Sequence, residues 1–293
     1  MQKNVNDDLR WDIPYHQAFF KTSHNSFNIS VRKQLNHGVR GLEYDIHDDR
    51  IQEVDDFEVY HLPKHVDAAI NVDGNPGDLL LSNWLTLLKN WSNEQNNEHA
   101  PITLFIELKD CIIDENNEPS ELYGIKRLNK VILDVLSPNY LYSHSDFRKN
   151  KYQWPTIREL KGCVIIVLTS YWGGYWASSE GGFESRLQYL NNCTRGEDDV
   201  CFVSWIEEDR GEQKLFMKEN ATFWKCSIEF STESYKENLK FQRPTRVDYD
   251  KIKMGRHVKT YYEKNFESGF KANFLSTDSW AEEKYAQVFP WSI

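Results

Sequence analysis

Apolar and polar positions along this chain switch between two periods, and the switching predicts its elements. Short runs of β-branched and apolar residues read as strands: Ala18 to Lys21, Val39 to Ile46, Glu58 to Leu62, Ile102 to Leu108 and Cys163 to Thr169. Stretches with helical spacing lie between them. Ser30 to Asn36 suits a short helix. Asp78 can cap a helix whose apolar face is Leu80, Trp84, Leu87, Leu88 and Trp91. Leu122, Ile125, Leu128, Ile132, Val135 and Leu136 form a second helical stripe. Val200 to Trp205, Phe223 to Phe230, His257 to Tyr262 and Asn273 to Ser276 are further strand candidates, and Ser231 to Asp250 reads as a polar excursion.

Strands that alternate with helices imply a parallel sheet. The run Cys163 to Thr169 is nearly all apolar, as a parallel strand covered on both faces should be. With this many units in 293 residues, the expected fold is α/β, a single distorted (β/α)8 TIM-like barrel filling one domain over 1–293. One strand candidate is then a hairpin or an insertion. No Gly-x-Gly-x-x-Gly or Walker-type loop is present, which disfavours a nucleotide-binding fold.

Composition narrows the partners. Hydrophobic residues make up 40% of the chain and aromatics 14%, enough for a sizeable core. The net charge of −10 argues against a nucleic-acid partner bound through broad basic patches, and against docking on anionic membranes by charge alone. An acidic site that collects a divalent cation is compatible with it. No stretch is long and apolar enough for a transmembrane segment, and Met1 to Asp8 is polar where a signal peptide needs an apolar core. The expectation is a soluble monomer, with secreted and cytoplasmic locations both open. Five cysteines do not make a disulfide scaffold. Cys111 and Cys163 adjoin strand runs and are expected to pack as small hydrophobes; Cys193 and Cys201 flank an acidic loop and could pair.

In a barrel, the C-terminal strand ends line the site. His24 and Asn25 end the first strand, Glu43 and Asp45 share one side of the second, His61 ends the third and Glu107 the fourth. Asn25, Glu43, Asp45 and Glu107 all offer hard oxygen ligands, suited to Ca²⁺. Such a cation would clamp a phosphate oxygen, with His24 and His61 supplying protons. Each piece alone has a plainer reading: Glu-x-Asp as a salt-bridged pair, Ser-His-Asn as a turn. Their coincidence at successive strand ends is what points to chemistry. Tyr171-Trp172-Gly173-Gly174-Tyr175-Trp176 follows another strand, so Trp172 and Trp176 either enter a lipid interface or pack on the barrel rim.

These residues resemble the catalytic half of the phosphatidylinositol-specific phospholipase C family (its X-domain-like barrel), in its calcium-dependent, stand-alone bacterial type. The resemblance rests on Ser23-His24-Asn25-Ser26-Phe27, Gly38-Val39-Arg40-Gly41-Leu42-Glu43-Tyr44-Asp45, Val59-Tyr60-His61, Ile106-Glu107-Leu108-Lys109 and Leu275-Ser276-Thr277-Asp278. It covers roughly residues 15 to 110 and the last twenty or so. It implies a peripheral enzyme that meets a phospholipid at a membrane surface. The inositol 2-hydroxyl would displace diacylglycerol and leave a cyclic phosphate. By this likeness His24 and His61 are catalytic, Glu43 takes part in proton transfer, and Asn25, Glu43, Asp45 and Glu107 hold calcium. Asp278 would orient His24, while Lys109 and Arg40 would meet phosphate or headgroup. Tyr44 departs from the family's usual aliphatic residue at its position. Two other readings stand beside this one. A glycerophosphodiesterase or phospholipase D-like enzyme shares the barrel, though such enzymes usually open with His-Arg. A lipid- or carbohydrate-binding barrel without catalysis is the other.

Overall fold

Alternation inside the strands builds the molecule. The computed structural model describes residues 11–48, 55–61, 67–113, 124–170, 178–196, 200–206, 209, 213–226, 240–248, 272–277 and 288–290. Its strands are β1 (Ala18–Ser23), β2 (Gly41–His47), β3 (Glu58–Val59), β4 (Ile102–Leu108), β5 (Val164–Thr169), β6 (Phe202–Ile206), β7 (Phe223–Cys226), β8 (Thr245–Asp248), β9 (Phe274–Thr277) and β10 (Val288–Pro290). All but β3 and β10 run parallel, in the ring order β1-β2-β4-β5-β6-β7-β8-β9. The ring closes where β1 pairs with both β9 and β2, the latter at Thr22 and Gly41 alone. A Cβ on Gly41 would fall inside the Thr22 side chain, so this closure needs glycine. β10 pairs antiparallel with the start of β1, below the reach of β2.

The outward side chains of the strands meet a shell of helices: α1 (Val31–Asn36), α2 (Leu81–Glu94), α3 (Gly124–Tyr140), α4 (His144–Lys149), α5 (Ser178–Arg195) and α6 (Lys214–Asn220). Leu42, Tyr44, Ile46, Leu104, Ile106, Ile166 and Leu168 bury there against Trp84, Leu88 and Ile132. Tyr44 packs edge-on to Trp84, so its size is absorbed by the helix layer and not by the barrel interior. Ser30 caps α1, accepting from Lys33 N. α2 starts later than its expected cap, because Asp78 spends its carboxylate on Leu80 N and Asn83.

The inward side chains change character partway up. Phe20, Phe105, Phe223 and Phe274 fill the lower interior with Tyr15, Trp154 and Phe202. Phe20 stacks on Phe274 with centroids 4.8 Å apart. Two residues further along the same strands stand Thr22, Glu107, Lys225 and Ser276.

Three expectations need correction. Glu58–Val59 is no member of the parallel ring: it pairs antiparallel with the end of β2, through Ile46–Val59 and His47–Glu58. The ring neighbour of β2 is β4. The segment read as a polar excursion contains β8, whose Arg246 points inward to Glu43. Cys111 is exposed, since it lies beyond the end of β4 where the helix layer no longer covers it. Cys193 and Cys201 are buried and carry no disulfide. Leu122 and the strand expected over His257 to Tyr262 lie outside the described residues.

Candidate active site

The turn after β1 is laced to β2. Asn25 adopts left-handed backbone angles (φ 41°, ψ 56°), which asparagine tolerates better than most residues. That bend aims its N–H at Glu43 Oε2, 3.0 Å away. Ser26 Oγ accepts from Glu43 N at 2.8 Å and bonds Ser23 Oγ at 2.6 Å. His24 Nε2 consequently stands 3.7 Å from Glu43 Oε2, with the ring partly exposed.

His61 arrives by a different route from the one expected. It follows β3, whose antiparallel pairing folds the chain back over the top of β2. Tyr60 N donates to Asp45 O, and His61 Nδ1 lies 2.5 Å from Asp45 Oδ2. The hydrogen bond to Asp45 raises the His61 pKa, against burial and the nearby Lys109 charge.

Glu43, Asp45 and Glu107 are buried and offer carboxylate oxygens all within 4.8 Å of one another. Arg246 Nη2 donates to Glu43 Oε1 at 2.5 Å and to Ser276 Oγ at 3.1 Å, its guanidinium lying 4.6 Å from the Phe105 ring centre. Lys225 Nζ meets Glu107 Oε2 at 2.8 Å and Ser170 O at 3.2 Å. Lys109 Nζ lies between Glu107 Oε1 (2.5 Å) and Asp45 Oδ2 (3.0 Å). Burial alone would raise the Glu107 pKa, but Lys225 and Lys109 hold it well below the usual carboxylate range. The same contacts raise Lys109, whose burial acts the other way.

The donor set fits a calcium ion. It consists of hard oxygens, and Asp45 Oδ1 is buried without a hydrogen-bond partner. Asn25 adjoins the carboxylates through its backbone N–H, which donates to Glu43 Oε2. Such a group could clamp and polarise a phosphoryl oxygen while the two histidines move protons.

The structure brings His24, Asn25, Glu43, Asp45, His61, Glu107 and Lys109 together. It places Arg40 at the opposite end of the barrel, before β2 begins, where Nη1 donates to Leu35 O and Val39 O and the guanidinium covers Trp91. Asp278, Trp172 and Trp176 lie outside the described residues. Lys225 and Arg246 were missed from the sequence. The signal for Lys225 was there: in Phe223-Trp224-Lys225-Cys226 one cation occupies the same parity as an inward Phe. Arg246 lies in a segment with too few apolar residues to mark a strand.

No family model matches the chain, and no curated protein matches it in sequence. Solved structures do. A calcium-dependent phosphoinositol-specific phospholipase C from a Pseudomonas species superposes with a TM-score of 0.69 at 17% identity, over 99% of this chain and 100% of that one. A Ca²⁺-dependent phosphatidylinositol-specific phospholipase C from Streptomyces antibioticus gives a TM-score of 0.69 at 14% identity, over 94% and 98%. The chain has the fold of these enzymes. The likeness runs nearly end to end, well beyond the stretches that carried the sequence resemblance. At such identity it speaks for the fold alone, and the chemistry rests on the residues just described.

Proposed function

We propose that this chain is a calcium-dependent phosphodiesterase of the phospholipase C type, cleaving phosphatidylinositol or a related phosphodiester lipid. The observation that carries this reading is the convergence of Glu43, Asp45 and Glu107 inside one barrel mouth, with a histidine on each of two of them. Asn25, Glu43, Asp45 and Glu107 would hold the ion, which supplies Lewis acidity at a phosphoryl oxygen when bound.

The chain's own residues do the rest. His24 and Glu43 stand together as the proton-accepting side, where the 2-hydroxyl of an inositol ring gives up its proton as it bonds to phosphorus. His61 presents its Nε2 as the donating side, because Asp45 occupies Nδ1. It protonates the diacylglycerol oxygen as the P–O bond breaks, leaving a cyclic phosphate. Arg246 and Lys225 lie beneath Glu43 and Glu107 and hold them in place.

Among the described residues no helix is long and apolar enough to cross a membrane. The rim offers a surface contact instead. Ile29, Ile70 and Val72 are 39%, 40% and 41% exposed on the loops that follow His24 and His61. Asn75 staples those loops, donating to Ile29 O and Ala69 O and accepting from Val31 N. A net charge of −10 favours apolar contact with lipid over attraction to anionic headgroups.

Phosphorus NMR of phosphatidylinositol vesicles incubated with the protein tests the reading. A cyclic inositol phosphate, with matching diacylglycerol, is expected. Phosphatidic acid with free inositol in its place would favour the phospholipase D-like alternative, and glycerol phosphate released from added glycerophosphoinositol the glycerophosphodiesterase one.

A further inference from the structure

The carboxylate cluster already carries cations of its own. Glu43 is met by Arg246, Glu107 by Lys225 and Lys109, and Asp45 by Lys109. Among the described residues, three carboxylates face three side-chain cations before any ion enters. The three cations are not equivalent. Arg246 sits on β8, fully buried, held by Ser276 and against Phe105. Lys225 sits on β7, held by Ser170 O. Lys109 lies just past the end of β4 on a flexible four-carbon stem, 7% exposed. Two of its acceptors, Glu107 Oε1 and Asp45 Oδ2, belong to the oxygens that would ligate a metal.

Resting on the proposed calcium site, we infer that the Lys109 ammonium is a tethered counter-ion that competes with the divalent cation. It bridges Asp45 and Glu107 when no ion is bound, and a divalent ion must displace it from those oxygens. Keeping the Lys109 ammonium on Asp45 Oδ2 and Glu107 Oε1 would set it against a doubly charged ion at the same buried oxygens, like charges in contact. The place of Lys109 beyond the strand end, on two of the ligating oxygens, makes it the one that yields. Lys109 thereby sets the metal affinity of the site and couples loading to the release of a positive charge at the mouth.

Calorimetric titration of the metal-free protein with Ca²⁺ alone tests this. Lys109→Met is expected to bind Ca²⁺ at least tenfold tighter than wild type, about 1.4 kcal/mol. Lys109→Arg, which keeps the charge, should stay within threefold of wild type. Added Ca²⁺ should raise the melting temperature of Lys109→Met more than that of wild type. Lys109→Gln serves in the same way if the methionine variant does not fold. If wild type binds Ca²⁺ and the neutral variants bind it equally or more weakly, the counter-ion inference is wrong while the metal site stands. If neither wild type nor the neutral variants bind Ca²⁺ at millimolar concentrations, the metal site and the inference fall together.

Discussion

The barrel interior divides into two regions that share the same strands. Below, Phe20, Phe105, Phe223 and Phe274 interlock as rings. Above, Thr22, Glu107, Lys225 and Ser276 stand two residues further along, joined by Glu43, Asp45, Lys109 and Arg246. One region is held by apolar burial and shape, and the other by paired charges removed from water. The lower region supports the upper: Arg246, the deepest cation, lies across the Phe105 face while it holds Glu43. A floor packed with rings strengthens the ion pairs above it, and Asp45 Oδ1 is buried there without a hydrogen-bond partner among the described residues. Chemistry and stability should therefore separate by a single step along a strand.

The largest break between the two regions is expected from His61→Ala. Turnover of phosphatidylinositol should fall by roughly 10²–10⁴-fold, while the urea midpoint stays close to wild type. Phe105→Ala should do the reverse at first order, lowering stability by about 3–5 kcal/mol in urea unfolding through the cavity it leaves. Arg246→Met removes the counter-ion from a buried carboxylate and should cost about 3 kcal/mol. Adding Glu43→Gln to it should recover part of that loss, which a double-mutant cycle measures; simple additivity would mean the pair is not coupled.

A pH effect sharpens the contrast with the opposite end of the barrel. His99 is buried, its Nδ1 donating to Ala100 O and its Nε2 2.6 Å from Ser92 Oγ. Burial, with help from Arg40, pushes its pKa down to about 4. The native ring therefore stays neutral where the unfolded chain takes up a proton, below about pH 6.5. Stability should fall as pH drops from about 6.5 to about 4, and His99→Gln should flatten that fall in urea midpoints taken at pH 7 and pH 5. The smallest effect is expected at the rim. Ile70→Ser should weaken sedimentation with neutral phosphatidylcholine vesicles by about threefold to tenfold, leaving the fold intact.

How much of this was readable from the sequence follows the same division. The strands whose outward faces are continuously apolar, β4 and β5, were placed almost to the residue. The carboxylates of β2 and β4 were legible as polar residues interrupting an apolar strand. β8 was not legible, because Arg246 points inward and Val247 is its only aliphatic residue. His61 was assigned to a ring strand on the strength of Val59-Tyr60, although antiparallel pairing with β2 was what carried it to Asp45. Arg40 was weighed by its neighbourhood in sequence. A strand of seven residues separates its two ends, and Arg40 precedes the first residue of β2 while the site lies at the other end. Charges inside a barrel obey partners from distant strands, such as Lys225 on Glu107, and no local pattern encodes those.

The central claim is that the ionic layer works through a divalent ion. Turnover of phosphatidylinositol vesicles measured in excess EGTA, then with Ca²⁺ added back, tests it most directly. Loss of turnover in EGTA and its return with Ca²⁺ is the predicted result; undiminished turnover in EGTA would contradict it.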